Sequence, residues 1–141
     1  MPNKENERVI RRVFDELLNG GNADVAEELI SPDYVEHSPL SDQATGVDGL
    51  KERVSMLRSA FPDFHYDLED LISGEDKAVS RWTMHGTHEG EFMGLEPTGR
   101  RIEVSGIDIY RISGGKVAEH WHEMDTLRMM QQLGAIPNPS E

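Results

Sequence analysis

Apolar residues recur at helical spacing through the first half of the chain and alternate through the second. In the first half, Ile10, Val13, Phe14, Leu17 and Leu18 fall on one side of a helix. Asn3 can cap its start and Gly20-Gly21 stops it. A shorter helix follows, with Asn22 as its cap, Val25, Leu29 and Ile30 on one side, and Ser31-Pro32 at its end. The clearest helix carries Val47, Leu50, Val54, Leu57 and Phe61 at steps of three and four residues, closed by Pro62. Between the second and third helices, 33–39 is too short for another helix and ends in turn residues.

In the second half the period drops to two. Phe64, Tyr66 and Leu68 alternate with His65, Asp67 and Glu69, and Gly74-Glu75-Asp76 makes a turn. Segments 78–88 and 100–112 read as long strands. Ser113-Gly114-Gly115 then turns the chain into a last strand, 116–125. A helical turn over 126–133 precedes Gly134, and 135–141 is a loose tail. Three helices followed by four strands predict an α+β fold, with the helices on one face of an antiparallel sheet, in a single domain spanning 1–141.

The last two strands gather the candidate chemistry. Folding them about Ser113-Gly114-Gly115 sets Tyr110 near Ala118, Asp108 near His120, Gly106 near His122 and Val104 near Met124. Alternation then puts Val104, Gly106, Asp108, Tyr110, His120, His122 and Met124 on one face. The opposite face takes Ser105, Ile107, Ile109, Arg111, Glu119, Trp121, Glu123 and Asp125. A carboxylate facing two imidazoles, beside a glycine that leaves space, reads as a pocket floor. Histidine titrates near neutral pH, and an adjacent carboxylate raises its pKa and fixes its tautomer. Asp108 with His120 or His122 could therefore move a proton to and from a carbon next to a carbonyl.

Composition narrows the classes of function. Acidic residues outnumber basic ones 27 to 14, for a formal charge of −13, which repels phosphate backbones and anionic membranes. No nucleic acid and no membrane partner is expected. A chain that is 36% hydrophobic has no apolar run long enough for a span, and its start lacks the core of a signal peptide, so a cytoplasmic location is expected. Zero cysteines exclude disulfides, thiolate metal sites and a cysteine nucleophile. Dispersed carboxylates with few lysines also fit a protein kept soluble in concentrated salt, which makes a halophilic host a hypothesis.

Alternative readings accompany each candidate. Asp108, His120 and His122 could be surface residues or a satisfied hydrogen-bond network. His120-x-His122 with Asp108 also fits a two-histidine, one-carboxylate metal set, although no stricter ligand motif supports it and none is assigned. His85 and His88 lie where a strand runs into a loop and can serve as strand-end hydrogen bonders. Strand parity places His88 with Trp82 and Met84. Asp125 is a natural cap for the final helical turn, and Trp82 and Trp121 are natural packing residues. The glycine-rich stretch 86–101 lacks the ending of a phosphate loop, and there is no serine-hydrolase elbow.

Three stretches carry a family resemblance. They are Ile30-Ser31-Pro32-Asp33-Tyr34-Val35-Glu36-His37, the run from Gly86-Thr87-His88-Glu89-Gly90 through Gly94-Leu95-Glu96-Pro97-Thr98-Gly99-Arg100-Arg101, and Arg111-Ile112-Ser113-Gly114-Gly115-Lys116-Val117-Ala118-Glu119-His120-Trp121. With the ending from Asp125 to Gly134, they resemble the SnoaL-like polyketide cyclase (ester cyclase) family along nearly the whole chain. The resemblance implies an NTF2-like cone, a curved antiparallel sheet around a pocket closed by helices, assembled as a homodimer or homotetramer. It implies ring closure of an aromatic polyketide ester by an intramolecular aldol step, with no cofactor and no metal.

In that family the acid/base is a carboxylate at the position of His122, a histidine stands at Asp108, a glutamine at Gly106 and an asparagine at Glu36. Of that set only His120 is retained here. The expected site is therefore catalytic Asp108, His120 and His122, with His122 as the base. Glu36 or His37 would protonate the oxygen that gains charge. Trp82, Met84, His88, Val104, Gly106, Tyr110 and Met124, with Leu57 and Phe61, would line a pocket for a small hydrophobic or aromatic ligand. The competing class is a noncatalytic binding or accessory domain that keeps the pocket alone.

Overall fold

The computed structural model describes residues 3–38 and 44–137. Helix α1 spans Lys4–Arg12 and continues as a π-helix over Val13–Asn19. A 3₁₀ turn, Ala23–Val25, leads into α2, Ala26–Leu29. Strand β1, Ile30–Glu36, precedes α3, Gly46–Ala60. Then come β2 (His65–Ser73), β3 (Lys77–Thr87), β4 (Arg101–Ser113), β5 (Lys116–Met124) and α4 (Thr126–Gln132). Short-range signals are met where expected. Asn3 accepts from the Asn6 N–H, Asn22 from Asp24 and Asp125 from Arg128, each at 3.1 Å. Of the 135–141 tail, 138–141 lie outside the described residues, as does Pro39.

The sheet order is β1-β5-β4-β3-β2, so there are five strands where the periodicity predicts four. The fifth is β1, an edge strand parallel to β5, with Glu36 opposite His120. Its alternation is hidden by Pro32 and Asp33. An edge strand tolerates proline because one row of its backbone groups has no ladder to feed.

The β4–β5 register also differs from expectation. The turn is the two-residue Gly114-Gly115, both at positive φ, as the tight hairpin turn matching strand twist requires. Ile112 pairs with Val117, but Arg111 pairs with Glu119, which leaves Ala118 as a bulge. Asp108 consequently lies opposite His122, Tyr110 opposite His120 and Gly106 opposite Met124. The pairing is displaced by two residues while the predicted faces survive. Without the bulge, Asp108 would oppose Trp121 and both imidazoles would leave its face.

The core lies between the inner sheet face and the helices. Ile10, Phe14 and Leu17 from the first helical segment, Leu50, Val54 and Leu57 from α3, and Trp82, Val104 and Tyr110 from the sheet belong to one cluster. The outer face keeps Ile107 and Ile109 half-exposed. The architecture is an α+β cone.

Candidate active site

Strand β1 supplies the residues that turn the hairpin into a site. Period-two alternation sends Tyr34 and Glu36 inward while Val35 points out. The Tyr34 hydroxyl donates to Glu36 Oε1 at 2.8 Å, and the Ser38 N–H donates to Oε2 at 3.1 Å. Glu36 Oε1 also meets His120 Nδ1 at 2.7 Å. The other ring nitrogen of His120, Nε2, lies 3.0 Å from Asp108 Oδ1. Ionised carboxylates only accept hydrogen bonds, so an imidazole placed between two of them carries both ring protons.

Asp108 is saturated. Its Oδ2 accepts from Trp82 Nε1 at 2.7 Å, the Tyr110 hydroxyl at 2.7 Å and the Ser80 hydroxyl at 3.0 Å. Titration behaviour follows from these contacts. Burial alone would push the His120 imidazolium down, but hydrogen bonds and charge from Asp108 and Glu36 raise it to about 8. Burial would raise Glu36, yet bonds from His120, Tyr34 and Ser38 bring it to about 2. Asp108 is likewise lowered, against its burial, by His120, Tyr110 and Ser80.

His122 stands apart from this pair. Its ring stacks on that of His120 at 5.3 Å, and its Nε2 lies 3.2 Å from Arg53 Nη2. Burial, the Arg53 charge and the His120 charge lower it to about 4, so it is neutral near pH 7. The hydrogen-bonded partner of Asp108 is therefore His120. The expected pairing of His122 with Asp108 is not formed, although the displaced register sets the two opposite each other: His122 Nε2 turns to Arg53, and His120 reaches Asp108 diagonally from its place opposite Tyr110.

A cavity of about 50 Å³ lies over this cluster. Of the residues expected there, Asp108, His120, Trp82, Tyr110 and Leu57 line it, joined by Tyr34, Arg53, Tyr66 and further apolar residues. Other expected wall residues are elsewhere. The space over Gly106 is filled by the Trp82 ring, which a Cβ at that position would strike. The glycine therefore admits the indole that reaches Asp108 and is not part of the cavity wall. Met84 and Val104 are buried in the core, off the cavity wall. Met124 joins Arg81, Ile107 and Glu123 around a separate outer hollow.

His88 is fully buried, but its Nδ1 accepts from the Thr98 N–H at 3.2 Å and its ring packs on Phe61, away from the cavity. Phe61 is itself fully buried against Phe92. Alternation along β1 turns His37 outward, where it stacks on Trp121 at 4.5 Å and bonds Glu119.

Arg53, Tyr34 and Ser80 are absent from the sequence-based set. Arg53 and Ser80 left a signal: Arg53 falls three residues after Leu50 and four before Leu57, a cation inside the apolar stripe of α3. Ser80 is a hydroxyl at an inward position between Ala78 and Trp82. Among the described residues, Glu36, His120 and His122 bring potential metal-ligating atoms within 4.8 Å of one another. The Arg53 guanidinium already places a cation against Glu36 and His122, so the set does not suit a second one.

The family model for SnoaL-like polyketide cyclase matches residues 8–133. The aklanonic acid methyl ester cyclase of Streptomyces peucetius is 30% identical over 132 residues, covering 89% of this chain and 88% of that protein. The nogalonic acid methyl ester cyclase of Streptomyces nogalater is 29% identical over 119 residues, covering 83% and 89%. Among solved structures, TsrD from Streptomyces laurentii superposes with a TM-score of 0.87 at 30% identity, covering 96% of this chain and 99% of that one.

Proposed function

The chain belongs to the SnoaL-like polyketide cyclase family, and from that premise we propose that it closes a ring in a polyketide methyl ester by an intramolecular aldol step. The observation that carries this reading is the His120 imidazolium held between Glu36 and Asp108 at the edge of an apolar cavity. The reaction needs one proton removed from a carbon next to a carbonyl and one delivered to the carbonyl oxygen that carbon attacks. A C–H bond breaks, a C–C bond forms and the oxygen becomes a hydroxyl, so the product is an isomer of the substrate.

Glu36 accepts the carbon proton, since its Oε2 takes one hydrogen bond, from Ser38. The same carboxyl then gives that proton to the oxygen the carbon has attacked, which regenerates the carboxylate, while the His120 imidazolium, with its two N–H groups held by Glu36 and Asp108, orients and charge-balances it. Asp108, fixed by four donors, holds the ring in place as a positioning residue.

Incubation with aklanonic acid methyl ester, followed by chromatography and mass spectrometry, tests the reading. The expected product is an isomer of equal mass with one more ring. Glu36→Gln and His120→Gln should each lower kcat by roughly 10²–10⁴. Tight binding of the ester with no turnover would overturn the cyclase assignment, and an active Glu36→Gln would overturn the proton route.

The remaining proposals concern the whole molecule: one domain acting in the cytoplasm of a salt-adapted host on a small hydrophobic or aromatic ligand, as a homodimer or homotetramer. Half-exposed Ile107 and Ile109 on the outer sheet face support assembly, and light scattering that gives a monomer mass would remove it. The −13 charge supports salt adaptation, and a Tm that falls between low and molar salt would end that idea.

A further inference from the structure

Arg53 is the cation of the cavity that makes no hydrogen bond to a carboxylate among the described residues. It lines the cavity from α3 with its side chain 13% exposed. Its nearest carboxylate is Glu36, 3.7 Å from Nη1 and beyond hydrogen-bond reach, with oxygens already engaged by Tyr34, His120 and Ser38. The one hydrogen bond of Arg53 among the described residues is from Nη2 to His122 Nε2 at 3.2 Å.

A guanidinium donates and never accepts, so Nε2 of His122 is the acceptor and the ring proton sits on Nδ1. Nδ1 itself is buried with no partner among the described residues, which offer this imidazole no second contact that would favour its charged form. The imidazole therefore aims Arg53 without neutralising it. A carboxylate at position 122 would close an ion pair and quench the charge.

We propose that Arg53 holds the oxygen on which negative charge develops, and that neutral His122 is the positioning residue that directs the guanidinium there. This deepens the cyclase reading and rests on it. It narrows the substrate to an enolisable carbonyl compound whose enolate oxygen sits against Arg53. When the C–H bond breaks, the electron pair moves onto that oxygen and the proton goes to Glu36. The pair then leaves the oxygen to form the C–C bond. Preorganised donors at a developing oxyanion, in a cavity with mostly apolar walls, are strong contributors to such a step. Tyr34 and Tyr66 also lie within electrostatic reach of Arg53, and both carboxylates of the site are hydrogen-bonded to His120.

The test uses a probe that needs no turnover. 4-Nitrophenol bound to the intact protein absorbs differently as phenol and as phenolate, and its phenolate oxygen imitates an enolate. The bound probe should ionise at a pH at least one unit lower than in water. Arg53→Met should abolish that depression, and Arg53→Lys should keep part of it. His122→Asp should abolish it by quenching the guanidinium, while His122→Gln, which keeps an acceptor, should preserve most of it. Equal ionisation in the wild type and Arg53→Met would overturn the proposal even if the protein is a cyclase. A depression lost only in Arg53→Met and His122→Asp would support it even if aklanonic acid methyl ester is not turned over. Circular dichroism of each variant separates these outcomes from loss of fold.

Discussion

Two histidine–carboxylate clusters occupy opposite faces of the same sheet, and they are near mirror images in composition. On the outer face one carboxylate, Asp67, is shared by two imidazoles, His65 at 3.2 Å and His85 at 2.9 Å. On the inner face one imidazole, His120, is shared by two carboxylates, Glu36 at 2.7 Å and Asp108 at 3.0 Å. The distances barely differ. Water does: the side chains of His65 and Asp67 are 58% and 50% exposed, those of His120 and Glu36 11% and 5%. Outside, solvent screens the attraction and replaces either partner at little cost. Inside, each charge depends on the others, so the same bond lengths fix a protonation state and a ring orientation.

Substitutions and pH can break or sharpen this contrast. The largest effect is expected from Asp108→Ala, which strands a buried imidazolium together with the Ser80, Trp82 and Tyr110 donors. Chemical denaturation should show a loss of about 3–5 kcal/mol. Next comes Gly106→Ala, whose new methyl collides with the Trp82 ring and withdraws its indole from Asp108. A loss of about 1–3 kcal/mol is expected, with a change in Trp82 fluorescence.

The pH dependence should belong to the inner cluster. His120 is raised from 6.5 to about 8, so its contribution is complete below about pH 6.5 and is lost as pH climbs through 8. That loss amounts to about 2 kcal/mol in unfolding free energy between pH 6 and 9. Glu36, lowered to about 2, acts oppositely: its contribution holds above about pH 4.5 and disappears in strong acid. The smallest effect is expected from Asp67→Asn, within about 0.5 kcal/mol by the same denaturation assay. A loss above 2 kcal/mol there would mean that burial is not what separates the clusters.

What the sequence revealed follows the range of the interactions involved. Caps at Asn3, Asn22 and Asp125 act over two or three residues and are legible directly. The apolar stripe of α3 and the alternation of β3 and β4 are legible because each element repeats its own period. Glu36 and His120 are brought together over 84 residues of chain by a parallel edge strand that Pro32 and Asp33 disguise. Parity alone gathers Asp108, His120 and His122 on one face, but the register depends on a bulge at Ala118 that leaves no pattern in composition, and which imidazole meets the carboxylate depends on Arg53 taking His122. The inward arginine at position 53 was visible as a break in the stripe. Its role emerges once β5 brings His122 against it.

The protonation state of His120 tests the account most directly. Heteronuclear NMR of the imidazole nitrogens in the intact protein at pH 7 should show both Nδ1 and Nε2 of His120 protonated, releasing a proton near pH 8. His122 should stay neutral, with its proton on Nδ1. A His120 ring that is neutral at pH 7, or a charged His122, would contradict it.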